Sequence, residues 1–288
     1  MFDEVGRLTV VRNSQPTKFW VKRVVDYVVN RQNEDGGYTF CQGAESNAQD
    51  TYYGLAILEL LGVPFPNVEN TVKWLRSFVP DNLYSHYYVA KALKLCGEEP
   101  NKESLKRFIL SHQTVKGTFG TVDVYAEVTS EFLLTFMVTE LLNMAKIAVN
   151  REKITRWLLG FKNRDGGFGA HKHSNLNSTY YAVASLFNLD YPVKSLTETV
   201  IYVRACEKPY GGFTVTPKSS TPYMEHTYYG TSTLNLLGES IRYPKQTAEL
   251  ILKCQNANGG FARSDLGIST FEDTFYAVSI LQTISKQW

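Results

Sequence analysis

The chain has 288 residues, with 30 Lys and Arg against 28 Asp and Glu, a formal charge of +2. No block of like charge is present, which excludes a nucleic-acid groove built on a basic stripe. No apolar run reaches the 18 or so residues of a membrane span. Asp3, Glu4 and Arg7 argue against a secretory signal, and Cys41, Cys96, Cys206 and Cys254 show no Cys-x-x-Cys spacing. The expected compartment is the cytoplasm, with free thiols.

Taken in chain order, the sequence repeats itself. Gly36-Gly37, Gly166-Gly167, Gly211-Gly212 and Gly259-Gly260 each precede an aromatic residue and a polar loop. Each loop then leads into a cluster opening an apolar run: Thr51-Tyr52-Tyr53, Thr179-Tyr180-Tyr181, Thr227-Tyr228-Tyr229 and Thr274-Phe275-Tyr276. Two degenerate copies complete the set. Tyr87-Tyr88 opens a run with the Gly-Gly loop deleted between Val79 and Asn82, and Gly117-Thr118-Phe119-Gly120 precedes Glu131-Phe132-Leu133. A period of this length marks a repeat architecture. The expected units are 17–62, 68–97, 102–143, 151–190, 195–238 and 244–287, in a single domain over 1–288.

Each unit reads as two helices. An apolar pair recurs near the end of the first: Tyr27-Val28, Trp74-Leu75, Phe108-Ile109, Trp157-Leu158, Tyr202-Val203 and Leu250-Ile251. The Gly-Gly pair is expected to stop that helix through a left-handed cap. The first helix carries charges, while the second is apolar nearly all round and must be buried. Six inner helices ringed by six outer ones make an all-α, closed (α/α)6 barrel. An open solenoid is the rival arrangement.

The residue before each cluster is Asp50, Ser85, Ser130, Ser178, His226 or Asp273. Five of these are N-cap types. His226 is not, which marks it as a ligand or proton carrier at the barrel mouth, or as a histidine bonded to a loop carbonyl. Glu225 and Glu272 flank the last two positions. Six helix N-termini at one rim favour an anion such as a diphosphate. Basic residues in the loops, His171, Lys172, His173, Lys218 and Arg263, read as solvated charges. Helical geometry places neighbours about 100° apart. Only one member of each aromatic pair is therefore expected to face the axis. The small residue after the pair, Gly54, Ala182, Gly230 or Ala277, either leaves cavity volume or lets helices approach closely.

The Gly-Gly-aromatic loop, the Asp/His-Thr-aromatic-Tyr cluster and the apolar helix together resemble the superfamily of protein prenyltransferase β-subunits and terpenoid (squalene-type) cyclases. Residues 32–38 (Gln-Asn-Glu-Asp-Gly-Gly-Tyr) and 255–261 (Gln-Asn-Ala-Asn-Gly-Gly-Phe) are similar to the Gln-to-aromatic repeat of the cyclases. Glu225-His226-Thr227-Tyr228-Tyr229-Gly230, running on to Leu236-Leu237-Gly238, resembles the prenyltransferase segment that carries a zinc-binding histidine.

The resemblance implies an α/α toroid, an isoprenoid substrate and a possible helical protein partner. It also exposes departures. Leu176 and Ser178 stand where the family's Asp-x-Cys zinc ligands would be, so zinc protein prenyltransferase activity is disfavoured. The basic diphosphate cradle falls on Glu127, Ala170 and His173. No Asp-x-Asp-Asp acid motif is present, and its nearest remnant is Glu272-Asp273. The Gly-Cys-Gly-Glu-Gln segment of complement-type toroids is absent.

The expected function is an enzyme acting on an isoprenoid-type molecule, its tail in an aromatic-lined barrel and its polar end at the rim. The catalytic candidates are His226, Asp273, Glu272, Glu225 and Asp50. The substrate-binding candidates are Tyr53, Tyr181, Tyr229, Tyr276, His173 and Glu127. No metal site is assigned, and His226 would be a ligand only if zinc or magnesium were present. The alternative is a toroid that binds a lipid or a partner without chemistry.

Overall fold

The computed structural model describes residues 19–111 and 131–285. Twelve α-helices run through them as six pairs. The outer members are α1 (Phe19–Val29), α3 (Val68–Ser77), α5 (Lys102–Ser111), α7 (Arg151–Leu159), α9 (Thr197–Cys206) and α11 (Pro244–Lys253). The inner members are α2 (Ala48–Leu61), α4 (Leu83–Leu95), α6 (Glu131–Met144), α8 (Leu176–Asn188), α10 (Met224–Leu237) and α12 (Phe271–Ser285). Among the described residues there is no strand, only isolated antiparallel bridges.

The outer helices bury one stripe. In α7 it is Ile154 and Leu158, and in α11 it is Thr247 and Ile251. The recurrent apolar pair lies in the last turn of each, where it meets the inner layer. The inner helices are buried along most of their length and pack side by side in the order α2, α4, α6, α8, α10, α12 and back to α2. The all-α closed barrel read from the repeats is the observed fold.

The glycine pairs have a different job from the one expected. Helix α7 ends at Leu159, before Gly166. The loop that follows folds into a tight turn, with Gly166 N donating to Asn163 O and Asn163 N to Gly167 O. Gly166 and Gly259 have φ of +88° and +95°, in the left-handed region. A methyl group on either would overlap backbone of the next outer helix, at Glu198 O for Gly166 and at Arg23 O for Gly259. Each loop thus presses onto the following unit, and the sixth presses onto the first. Gln255 strengthens that last seam, its Nε2 donating to Trp20 O at 3.1 Å.

The threonine of each cluster is a second latch. Thr51, Thr179, Thr227 and Thr274 accept the backbone N–H of Tyr38, Phe168, Phe213 and Phe261, the aromatics after the glycine pairs. Those four rings are fully buried. The small residue after the aromatic pair makes room for them. A Cβ on Gly230 would strike the Phe213 ring, and one on Gly54 would sit 3.1 Å from the Tyr38 ring. The space is filled by the loop's own aromatic ring, which neither expected reading had anticipated.

Candidate functional site

The inner helices start three residues earlier than the clusters suggest. Asn47, Asn82 and Asn175 are the N-caps of α2, α4 and α8, accepting from the N–H of Asp50, Ser85 and Ser178. At α12 Thr270 Oγ1 accepts from Asp273 N at 3.0 Å. Tyr223 precedes α10 without a side-chain cap. The residues read as caps therefore lie inside the first turn, so His226 occupies no cap position that it could fit badly. Ser130 and Glu127 lie outside the described residues.

Below the helix starts is a lumen of about 360 Å3. Both members of five pairs line it: Tyr52 and Tyr53, Tyr87 and Tyr88, Tyr180 and Tyr181, Tyr228 and Tyr229, Phe275 and Tyr276. The expectation that one of each pair would turn away fails for a simple reason. Two positions 100° apart can straddle the axis about 50° to either side, and a tyrosine is long enough to reach in from both. Only the third unit splits its pair. Leu133 lines the lumen while Phe132 packs on Phe161, centroids 5.3 Å apart.

The tyrosine hydroxyls join into a belt. Tyr181 and Tyr229 share a hydrogen bond of 2.7 Å. Tyr276 and Tyr53 both donate to Glu272 Oε1, at 2.7 and 3.0 Å. Burial, foremost, with the neighbouring phenols and Glu272, pushes the Tyr53 and Tyr276 hydroxyls well above the usual phenol range. They remain hydrogen-bond donors.

Above the belt, at the helix starts, the space widens to a vestibule of about 700 Å3. Gln49, Tyr84, Tyr88, Tyr229, Glu272 and Tyr276 border both spaces, so the two adjoin across the belt. Four of the predicted carboxylates, Asp50, Glu225, Glu272 and Asp273, come together on the vestibule wall, with Arg263 as the basic residue among them. Each carboxylate sits in the first turn of an inner helix, where it complements that helix's positive end. The protein thus meets its own dipoles, and the anion site expected from six N-termini is already filled with negative charge.

Environment separates these groups. Burial pushes the Asp273 carboxyl up to about 6, against the hydrogen bond from Thr270 and with help from the negative charge of Glu272. Burial also raises Asp50, opposed by hydrogen bonds from Asn47 and the Phe40 N–H. Arg263 donates to Glu225 Oε1 through Nε at 2.8 Å and Nη2 at 2.5 Å, and its guanidinium lies over the Tyr223 ring.

His226 is buried behind this pair. Its Nε2 is 3.8 Å from Glu225 Oε1, and its Nδ1 has no hydrogen-bond partner among the described residues. Burial lowers its pKa below the ordinary histidine value, Glu225 opposing and Arg263 assisting. It backs the vestibule wall and does not line the space.

The other basic candidates stand apart. His171, Lys172, His173 and Lys218 are exposed and border neither space. Of the predicted diphosphate cradle, Ala170 and His173 lie away from the lumen.

Lys91 and Glu140 were missed. They line the lumen as an ion pair, Nζ to Oε2 at 2.9 Å, with the Tyr87 hydroxyl donating to the same oxygen. Their signal was present in the sequence, as charges in the middle of inner helices that are otherwise charged only near an end.

His226 and the residues expected to join it do not make a zinc set. Leu176 is a buried hydrocarbon whose N–H donates to Val215 O, Ser178 offers only an alcohol, and Glu225 Oε1 is held by Arg263. Among the described residues no three His, Cys, Asp or Glu side chains converge as a metal requires. No helix among the described residues is long and apolar enough to cross a membrane.

Comparison with known proteins agrees with this architecture. The beta subunit of geranylgeranyl transferase type-1 from Arabidopsis thaliana is 24% identical over 225 residues, 67% of this chain and 60% of that protein. The chain thus spans about 60% of the length of that curated relative. Candida albicans protein geranylgeranyltransferase-I complexed with GGPP superposes with a TM-score of 0.73 at 18% identity, over 91% of this chain and 90% of that one. A type II terpene cyclase from Scytonema, in complex with geranylgeranyl dihydroxybenzoate, gives 0.61 at 11% identity, over 93% and 96%. The model of the prenyltransferase alpha-alpha toroid domain matches at residues 6–123, 79–219 and 124–288, and the chain belongs to that family.

Proposed function

We propose that this chain takes an isoprenoid-type molecule into its lumen and acts on it with carboxylate acid–base chemistry at the vestibule. The observation that carries this reading is that the two spaces share a wall of six residues. Five aromatic pairs surround a lumen that adjoins the vestibule lined by Asp273, Glu272, Glu225 and Asp50. The ligands named with the two solved neighbours, GGPP and geranylgeranyl dihydroxybenzoate, support an isoprenoid chain.

The charge balance separates two reaction types. Four carboxylates against one guanidinium repel a diphosphate, so transfer from a diphosphate is disfavoured. A proton donated to an alkene fits better. Asp273, pushed up to about 6, keeps part of its population protonated near neutral pH. A cation formed below it would face tyrosine rings, whose electron-rich faces attract positive charge. Glu272, fixed by Tyr53 and Tyr276, is placed to take a proton back. A helical partner, suggested by the relative's description as a subunit, remains part of the proposal.

The test is incubation of the purified protein with farnesol and geranylgeraniol, followed by mass spectrometry of the extracted lipids. Turnover in the wild type and its loss in Asp273→Asn support the reading. Tight binding without conversion would leave a toroid that holds a lipid and does no chemistry.

A further inference from the structure

The lumen has a polar end that the rim chemistry does not use. The inner helices α2, α4, α10 and α12 start at the vestibule, so residues further along them lie deeper. Lys91 stands three positions beyond Tyr88 on α4, and Glu140 four beyond Phe136 on α6. Together they form the floor, one turn below the tyrosine belt.

We propose that this floor is a binding subsite for a neutral hydroxyl group carried on the inner end of the ligand. The proposal rests on the lumen reading above and adds the chemistry of the end that enters first.

Lys91 Nζ is 2.9 Å from Glu140 Oε2 and 3.1 Å from the Tyr87 hydroxyl. It also lies 4.9 Å from the centre of the Tyr52 ring. Burial opposes its charge, but Glu140 beside it holds the ammonium protonated well above the ordinary lysine range. Lys91 is therefore a fixed cation and no nucleophile. Glu140 uses only Oε2 toward Lys91 and Tyr87, and its Oε1 accepts no hydrogen bond among the described residues. A clasp serving only to join α4 to α6 would satisfy both oxygens within the protein.

The Glu140 side chain is partly exposed to the lumen, and an apolar chain filling that space would shut water out from Oε1. A buried acceptor left bare is costly, so the ligand must supply a donor there. A hydroxyl gives a proton to Oε1 and accepts one from Lys91 or the Tyr52 hydroxyl. A carboxylate would meet the like charge of Glu140, and an amine that of Lys91. The pair is neutral as a whole and selects a neutral group.

The experiment compares all-trans farnesol with its deoxygenated hydrocarbon, delivered from cyclodextrin and followed by calorimetry. The wild type should prefer the alcohol by about tenfold, the gain expected of one hydrogen bond to a charged group. Lys91→Met/Glu140→Leu, which removes both charges, should bring the ratio near one. Equal binding of the two probes by the wild type, or an unchanged preference in the double variant, overturns the subsite and leaves the lumen reading standing. Failure to bind either probe sinks both. If the double variant does not fold, labelling of the wild type decides. Farnesol carrying a diazirine beside its hydroxyl carbon should label α4 or α6 near Lys91 and Glu140, whereas labelling confined to residues 263–273 overturns the proposal.

Discussion

Tyr276 donates its hydroxyl hydrogen to Glu272 Oε1 at 2.7 Å from one turn further along α12. Tyr53 reaches the same oxygen from α2 at 3.0 Å. One carboxylate oxygen therefore ties the last inner helix to the first. Each of Tyr53→Phe and Tyr276→Phe should cost about 1 kcal/mol. The double variant should cost more than their sum by roughly 1 kcal/mol, because only then does the oxygen lose both donors. Urea titration of the four proteins gives the coupling, and strict additivity would refute a shared site.

Asp273 should make stability fall as pH rises. Its folded pKa is raised to about 6 from 3.8, so between those values the folded state binds more protons than the unfolded chain. The stabilising contribution is complete below about pH 4 and is lost by about pH 6. Allowing for its partial exposure to the vestibule, Asp273→Asn should stabilise the protein by about 1 kcal/mol at pH 7.5 and by almost nothing at pH 4. Denaturant midpoints at the two pH values check this.

His226 should act in the opposite sense. Burial lowers its folded pKa below 6.5, so its contribution is present above that pH and is lost as pH falls through the lowered value. His226→Gln should flatten the stability profile below about pH 6.5. His226→Ala should lower turnover through the loss of support behind the Glu225–Arg263 pair, while leaving the helical circular dichroism spectrum unchanged. Full activity in a folded His226→Ala protein would remove the residue from the site.

Gly259 and Gly43 make a matched pair of substitutions. Both have positive φ, +95° and +82°, but a Cβ on Gly43 meets nothing within 4 Å while one on Gly259 overlaps Arg23 O. Gly43→Ala should cost about 1–2 kcal/mol, the penalty of the left-handed backbone alone. Gly259→Ala adds a backbone clash at the seam and should cost about 3–5 kcal/mol. Thermal melts of the two variants rank them directly.

The hairpins and their closure were legible because the repeated residues are the latches themselves. Thr179 is read four times over, as Thr51, Thr227 and Thr274, because each holds the same loop N–H. Helix starts were harder. The capping residues Asn47, Asn82 and Asn175 were visible in the sequence, but the aromatic clusters beyond them drew the boundary three residues too far. The facing of the tyrosines depends on where the axis falls between two neighbouring positions, and spacing along one helix carries no such information. Lys91 and Glu140 escaped because they do not recur. They meet from two different helices, and alignment of repeats discards what appears once. Ala170 and His173 failed for the opposite reason, since a position carried over from the family landed in a loop turned to solvent.

The seam between the sixth loop and α1 joins groups far apart along the chain, with Gln255 Nε2 on Trp20 O across 235 positions. Linear arrays of helical hairpins peel from an exposed terminal repeat, and their stability is nearly a sum over neighbours. Here every hairpin has two neighbours, so none is terminal. Unzipping must first break a contact that took the longest loop to form. The hoop is therefore expected to form slowly, to hold until the seam gives, and then to come apart as one cooperative unit.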